Sequence, residues 1–149
     1  DDWFCIHWLE PMTVYRVRGG KVVDKFETNS VNKLWRHGIR HGGAHPTRIG
    51  DEFFGFCHSL MPWYGANRSR YFVSAYAFEA KPPFRMTRLS RVPLLNSEDD
   101  IRGNPCSCVI AGGAVLKDGV WTLALGDMDE RCLQVEIPHS DVLKGMDEV

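Results

Sequence analysis

The sequence predicts an all-β protein, and an internal repeat favours a β-propeller, with a β-sandwich as the alternative. Short aromatic and β-branched runs bounded by Gly, Asp, Asn and Pro recur along all 149 residues, whereas the apolar spacing of a helix is nearly absent. When Asp1, Asp51 and Asp118 are superposed, each is followed by an aromatic-led strand, a polar interruption and a second strand. Strand-only repeats of about 50 residues are typical of propeller blades, although a sandwich also contains such strands.

We expect a single domain with three blade-like units, residues 1–35, 36–92 and 93–149. In the first unit, Glu10-Pro11 separates two apolar runs, and Gly19-Gly20 supplies the tight turn of a hairpin. The strands of this unit are predicted over residues 3–8, 13–17 and 21–26. Residues 27–40 are polar with isolated apolar positions, which indicates a long surface connection.

The second unit contains the most aromatic strands of the chain. The apolar run Phe53–Cys57 is expected to end, as a strand, at His58. A polar loop then leads to a second aromatic strand, Tyr71–Tyr76, and residues 86–91 alternate as a half-buried strand does.

Polar groups collect at one end of this predicted sheet. His41 and His45 flank the pair Gly42-Gly43, and His58 stands where the apolar run stops. We expect the function of the protein to reside there.

The third unit begins with an acidic loop over residues 96–105, and its strands are predicted over residues 108–110, 114–116, 121–125 and 133–137. Lys117-Asp118-Gly119 supplies a turn between two of them. Trp121, Leu123 and Leu125 alternate with small residues, so bulky side chains should lie on one face only. The small residues of the other face would let another sheet pack closely against it.

Composition argues against several classes of partner and cofactor. The net charge of −1 with mixed signs gives no indication of a nucleic-acid or anionic-membrane partner. The sequence shows neither a signal peptide nor a membrane span, which favours a cytoplasmic location. Five cysteines, an odd and scattered set, indicate reduced core thiols, and no metal ligand set is recognised.

The segment from His41 to His58 resembles glycoside hydrolase family 130, the β-mannoside phosphorylases and hydrolases. In that family a Gly-Gly-x-x-Pro turn precedes a strand that ends in Tyr-His, as Gly42-Gly43-Ala44-His45-Pro46 precedes Cys57-His58 here. Further segments are similar to family motifs in the same order, and they comprise residues 8–14, 71–76, 109–113 and 125–129. The resemblance therefore covers nearly the whole chain.

The resemblance implies a five-bladed β-propeller that binds sugar at its axial funnel, of which this chain would hold about half the blades. The catalytic acid of the family is an Asp in an early blade, and it would precede Asp1. Because Asp1 leads directly into a strand, we expect the chain to be part of a longer protein. Inverting glycoside chemistry needs that acid together with an attacking water or phosphate, so inorganic phosphate is a possible co-substrate and no other cofactor is expected.

Six residues are candidates for substrate binding. By resemblance, Asp129 would bind hydroxyls of the scissile sugar and His58 would lie near the attacking water or phosphate. Tyr71 could stack on a pyranose ring, and His45 and Arg48 surround a turn in which the backbone N–H of Gly43 could line an oxyanion or hydroxyl site. Each also has a structural interpretation: a solvated turn for Asp129, a strand-end cap for His58, a core ring for Tyr71 and an ordinary turn for the glycine pair.

Three classes of function therefore stay open. The chain is part of a β-mannoside phosphorylase or hydrolase, a non-catalytic carbohydrate-binding propeller, or a structural domain that associates with other strands through its open sheet edges. No catalytic residue is identified in these 149 residues, and Cys57 and Leu125 replace family tyrosines. The partner expected in the first two cases is an oligosaccharide or mannoside.

Overall fold

The structure, a computed structural model, describes residues 1–29, 35–63, 68–96, 108–128 and 130–149. The first part of the chain forms strands β1 (Asp2–Leu9), β2 (Met12–Arg18) and β3 (Lys21–Thr28). The middle part forms β4 (Arg40–His41), β5 (Thr47–Ile49), β6 (Glu52–Trp63), β7 (Arg68–Glu79), β8 (Met86–Ser90) and β9 (Leu95–Asn96). The last part forms β10 (Val109–Lys117), β11 (Val120–Asp127), β12 (Arg131–Pro138), helix α1 (His139–Lys144) and β13 (Met146–Glu148).

These strands form three antiparallel sheets, none of which closes on itself, and the prediction of an all-β chain is confirmed. The first sheet has the order β1-β2-β3 and the third has the order β10-β11-β12. The central sheet has the order β13-β8-β7-β6-β4, with β5 paired to β6 and β9 paired to β7. Because β13 pairs with β8, the last residues of the chain return from the third sheet to the central one.

The central sheet is covered on both faces. Successive side chains of a strand point to opposite faces, so Phe56 faces the third sheet while its neighbour Cys57 faces the first. The ring of Phe56 meets the buried indole of Trp121 edge to face, 5.0 Å between centroids. On the other face Cys57 and Tyr76 belong to a core shared with the first sheet, where the buried residues are Leu9, Met12 and Val14.

The structure corrects two strand boundaries. Strand β6 does not end at His58 but continues to Trp63, because β7 pairs with it along its whole length and His58 lies opposite Val73. The two predicted strands at 108–110 and 114–116 form the single strand β10, in which an irregularity between Ala111 and Gly113 absorbs the extra residue. The alternation of Trp121, Leu123 and Leu125 is confirmed, since all three are buried.

A short helix was not predicted from the sequence. Helix α1 has six residues and buries only Val142, so it offers too few turns for a periodic apolar pattern. Within the described ranges, the chain has no helix with the length and apolar character that crossing a membrane requires.

The prediction of core thiols holds for one cysteine and is wrong for two. Cys57 is fully buried, whereas Cys5 and Cys132 are exposed, because their side chains point to the faces of β1 and β12 opposite those of Ile6 and Val135, which pack on the cores. Burial raises the pKa of the Cys57 thiol to about 11, although a hydrogen-bonding contact of 3.1 Å to Ser74 Oγ acts in the opposite direction. Cys57 is therefore a neutral packing group.

The predicted surface connection over residues 27–40 does not lie wholly at the surface, because its last residue, Arg40, begins β4 and is completely buried. The guanidinium forms an ion pair with Glu10 in the β1–β2 turn and donates to the backbone carbonyl of Ser90 on β8 at 2.7 Å. It also lies 4.3 Å from the ring centroid of Trp35, within the range of a cation–π contact. Arg40 thus joins the first sheet to the central sheet.

We predict that Glu10→Gln lowers the free energy of unfolding by about 3 kcal/mol, because the buried charge of Arg40 then has no carboxylate to compensate it. Urea denaturation at neutral pH measures this difference. The matched control is Glu27→Gln, whose carboxylate pairs with Lys25 on the surface and should change the midpoint very little. Equal effects of the two substitutions would contradict the role assigned to Arg40.

Candidate functional site

Four aromatic rings from the first and central sheets form a continuous row. The rings of Trp8 and His41 meet edge to face with centroids 5.4 Å apart. His41 stacks on His58 at 5.6 Å, and His58 stacks on Tyr71 at 6.0 Å. We call these four residues the ring row.

Strand register explains why three of these rings meet. His41 on β4 lies directly opposite His58 on β6. Tyr71 on β7 lies opposite Leu60 and is therefore the diagonal neighbour of His58 on the same face, within reach of a large side chain. All four side chains retain solvent contact, and Trp8 is 38% exposed. The ring row is thus accessible to a ligand.

Polar atoms accompany these rings. The indole N–H of Trp8 donates to the carbonyl of Glu10 at 2.9 Å, which fixes the orientation of the ring. Among the described residues, Nδ1 of His58 is a buried nitrogen without a hydrogen-bond partner. Since buried polar atoms normally have a partner, His58 retains hydrogen-bonding capacity that the described protein atoms do not use.

His58 is held in its neutral form at neutral pH. Burial is the main cause that lowers its pKa, and the adjacent His41 adds to it because two positive imidazoles would repel each other. The backbone of Gly42 acts in the opposite direction and raises the pKa of His58. A neutral imidazole has one donor and one acceptor nitrogen, which suits the hydroxyl group of a ligand.

His45 and Arg48 do not join the ring row. Arg48 is exposed, and its Nε donates to the carbonyl of Gly50 at 3.0 Å, so it closes the turn that follows β5. His45 is also exposed and lies beside a cavity between the first and central sheets. Although His45 and Arg48 lie close to His41 in the sequence, neither is part of the ring row.

Gly43 has a packing role that the sequence did not indicate. A Cβ at this position would lie 2.6 Å from the carbonyl oxygen of Phe56 and 3.0 Å from that of Ala111. Glycine therefore lets this segment approach both the central and the third sheet. At Gly42, by contrast, a Cβ would meet no atom within 4 Å.

Asp129 lies outside the described residues, but the strand before it can be placed. The carbonyl oxygen of Ala111 lies close to Gly43. Ala111 on β10 is paired with Leu125 on β11, and Leu125 lies two residues before Asp127, where β11 ends. The end of β11 is thus brought to the part of the interface that contains β4. Asp127 itself is buried and forms an ion pair with Arg131.

Two members of the ring row were absent from the predicted site residues. His41 flanks the glycine pair in the sequence. The only sequence feature that could have marked it as a site residue is the nearby His45 on the other side of that pair. Trp8 gives no such signal, because its contact with His41 joins two different sheets. Of the five candidates that lie within the described residues, His58 and Tyr71 are the two whose rings are in direct contact.

Comparison of the chain with protein-family models, curated proteins and solved structures found no match. Within the described residues, no group of three or more His, Cys, Asp or Glu side chains is arranged to hold a metal ion. Cys106 lies outside those residues.

We predict that Gly43→Ala lowers the free energy of unfolding by about 1–3 kcal/mol, because the added methyl group would overlap the two carbonyl oxygens. Gly42→Ala is the matched control and should have little effect. Thermal or urea unfolding of both variants measures the difference. An unaltered stability of Gly43→Ala would contradict the packing role and return this residue to the candidates for binding.

We also predict that His58 titrates below the ordinary value of about 6.5 and that His41→Gln raises its midpoint without restoring the full value, because burial remains. NMR titration of the imidazole resonances measures both. Since the pKa is lowered in the folded protein, the unfolded chain takes up the proton first as pH falls below about 6.5. Stability should therefore decrease from that pH downward until His58 is protonated in the folded state.

Proposed function

We propose that the protein binds carbohydrate at the ring row. The single observation that carries the proposal is the continuous row of four partly exposed rings, Trp8, His41, His58 and Tyr71. The exposed parts of these rings offer apolar surface to the C–H groups of a pyranose, and imidazole nitrogens other than the buried Nδ1 of His58 offer hydrogen bonds to its hydroxyls. A site of this kind combines an apolar platform with a few polar groups, which is the usual composition of a small-molecule site.

A mannose-type sugar is the substrate class that the family resemblance adds to this proposal. The resemblance assigns Asp129 to the hydroxyls of the scissile sugar and His58 to a place near the attacking water or phosphate. Its support in the structure is indirect: His58 lies in the ring row, and Ala111 connects the end of β11 with the segment that follows β4. Asp129 follows β11 by two residues.

We propose further that the three sheets are consecutive blades of a five-bladed β-propeller. The central sheet packs on a neighbour through each face, as a blade does. The outer faces of the other two sheets carry exposed apolar residues, among them Trp3 at 73% and Val115 at 64%. A β-sandwich, which has two sheets and one shared core, is the alternative.

Enzymatic activity on β-mannosides is the second candidate, and the resemblance alone favours it. The described residues include no carboxylic acid in the ring row, so none of them is assigned as the catalytic acid. In this version the ring row would hold the sugar, and phosphate or water would attack it. Binding without catalysis needs only the ring row and is therefore the principal proposal.

We predict that manno-oligosaccharides bind the protein and that Trp8→Ala and His58→Ala each weaken binding roughly tenfold, equivalent to about 1.4 kcal/mol. Isothermal titration calorimetry measures the affinities. His7→Ala is the control, because His7 is exposed and its ring contacts Tyr15, outside the ring row. Unchanged affinity in both ring-row variants would exclude this site.

Incubation of the protein with the same oligosaccharides, with and without phosphate, distinguishes a phosphorylase, a hydrolase and a non-catalytic binding protein. Release of mannose 1-phosphate indicates phosphorolysis, release of free sugar indicates hydrolysis, and binding without release indicates a non-catalytic protein. If none of the manno-oligosaccharides binds, the mannose-type assignment is wrong, and a screen of other glycans then decides whether the ring row binds carbohydrate at all.

A further inference from the structure

A second concave site lies between the first sheet and the central sheet. It has a volume of about 250 Å³, and the side chains that form most of its wall are apolar: Phe4, Ile6, Val14, Phe53, Phe78 and Phe84. Phe53 and Phe78 are opposite residues on β6 and β7. They belong to the face of the central sheet opposite the one that carries His58, because Phe53 and His58 are five positions apart in the same strand.

The aromatic part of the wall is continuous. Phe53 stacks on Phe78 at 5.4 Å, Phe78 meets Phe84 edge to face at 6.4 Å, and Phe84 meets Phe4 at 5.2 Å. Phe78 and Phe84 are almost completely buried, whereas Phe4 is 50% exposed. The rings therefore lead from an open mouth at Phe4 into the interior.

Phe84 occupies this wall at a conformational cost. Its φ is +62°, in the left-handed region in which a bulky side chain is rare and strained. Glycine would relieve the strain but would remove the ring. Its backbone N–H donates to the carbonyl of Lys81 at 2.9 Å, so the surrounding turn holds the ring in place.

We propose that this cavity is a binding site for an uncharged small molecule with an aryl group. A dry apolar cavity of about 150 Å³ in another protein holds benzene or xenon, so 250 Å³ has room for a bicyclic aryl group. The lining residues include no carboxylate, lysine or arginine, and an unpaired charge would lose its hydration there. Ring edges and faces in the wall suit offset or edge-to-face contact with an aromatic ligand.

This site is independent of the ring row. His58 and Tyr71 lie on the face of the central sheet opposite Phe53 and Phe78, and the wall of the cavity uses none of the four ring-row residues. A polar sugar finds few hydrogen-bond partners in the cavity, since exposed His45 is the one side chain among its lining residues with a polar hydrogen-bonding group. The protein would therefore bind two chemically different ligands.

The test uses indole as the probe and the whole chain as the protein. Calorimetry should show saturable binding of indole, and Ile6→Phe, which fills part of the cavity, should weaken it at least tenfold. Val115→Phe adds the same apolar ring to an exposed position of the third sheet and should leave the affinity unchanged. Absence of indole binding to the unsubstituted chain, or equal affinity in Ile6→Phe and the unsubstituted chain, would overturn the proposal.

A second measurement keeps the test decisive if Ile6→Phe does not fold. In NMR spectra of the unsubstituted chain, indole should shift the ring resonances of Phe4 and Phe84 and leave those of His58 and Tyr71 in place. Manno-oligosaccharides should not displace it. Shifts confined to the ring row, or displacement by the sugar, would show that indole binds elsewhere and that the cavity is not its site.

Discussion

The buried charge of Arg40 constrains how the sheets of this protein fit together. A guanidinium without solvent contact is stable only if its partners are in place, and those partners come from different parts of the chain: Glu10 in the first sheet, Ser90 at the end of β8 and the ring of Trp35. Because the charge must be compensated, the β1–β2 turn has one favourable position against the central sheet. Apolar packing alone would fix this position less strictly, since hydrophobic contact is not directional.

The ring row follows from this constraint. Trp8 lies two residues before Glu10, and His41 follows Arg40 directly, so the ion pair brings these two rings into the same region. From His41 the row continues through the register of the central sheet to His58 and Tyr71. The candidate site is therefore assembled from two sheets by one buried ion pair and one strand alignment.

The two faces of the central sheet offer different chemistry. Towards the third sheet, His58 and Tyr71 present rings with polar atoms beside solvent. Towards the first sheet, Phe53, Phe78 and Phe84 present carbon surface alone. Since side chains alternate along a strand, neighbouring residues of β6 contribute to both, and a single pair of long strands supports a polar site and an apolar site back to back.

The sequence by itself determined the all-β class, most strands and the buried face of β11. These features depend on the alternation of side chains along a strand and on the residues of turns, and both are visible within a few neighbouring positions. It also identified His58 and Tyr71 as candidates. Only the tertiary structure decided that β6 continues past His58, because β7 supplies hydrogen-bond partners along its whole length. It also decided that Gly43 is a packing residue and that Trp8 belongs to the site. The first feature depends on strand pairing within the central sheet and the other two depend on contacts between sheets, and none of these contacts leaves a periodic pattern in the chain.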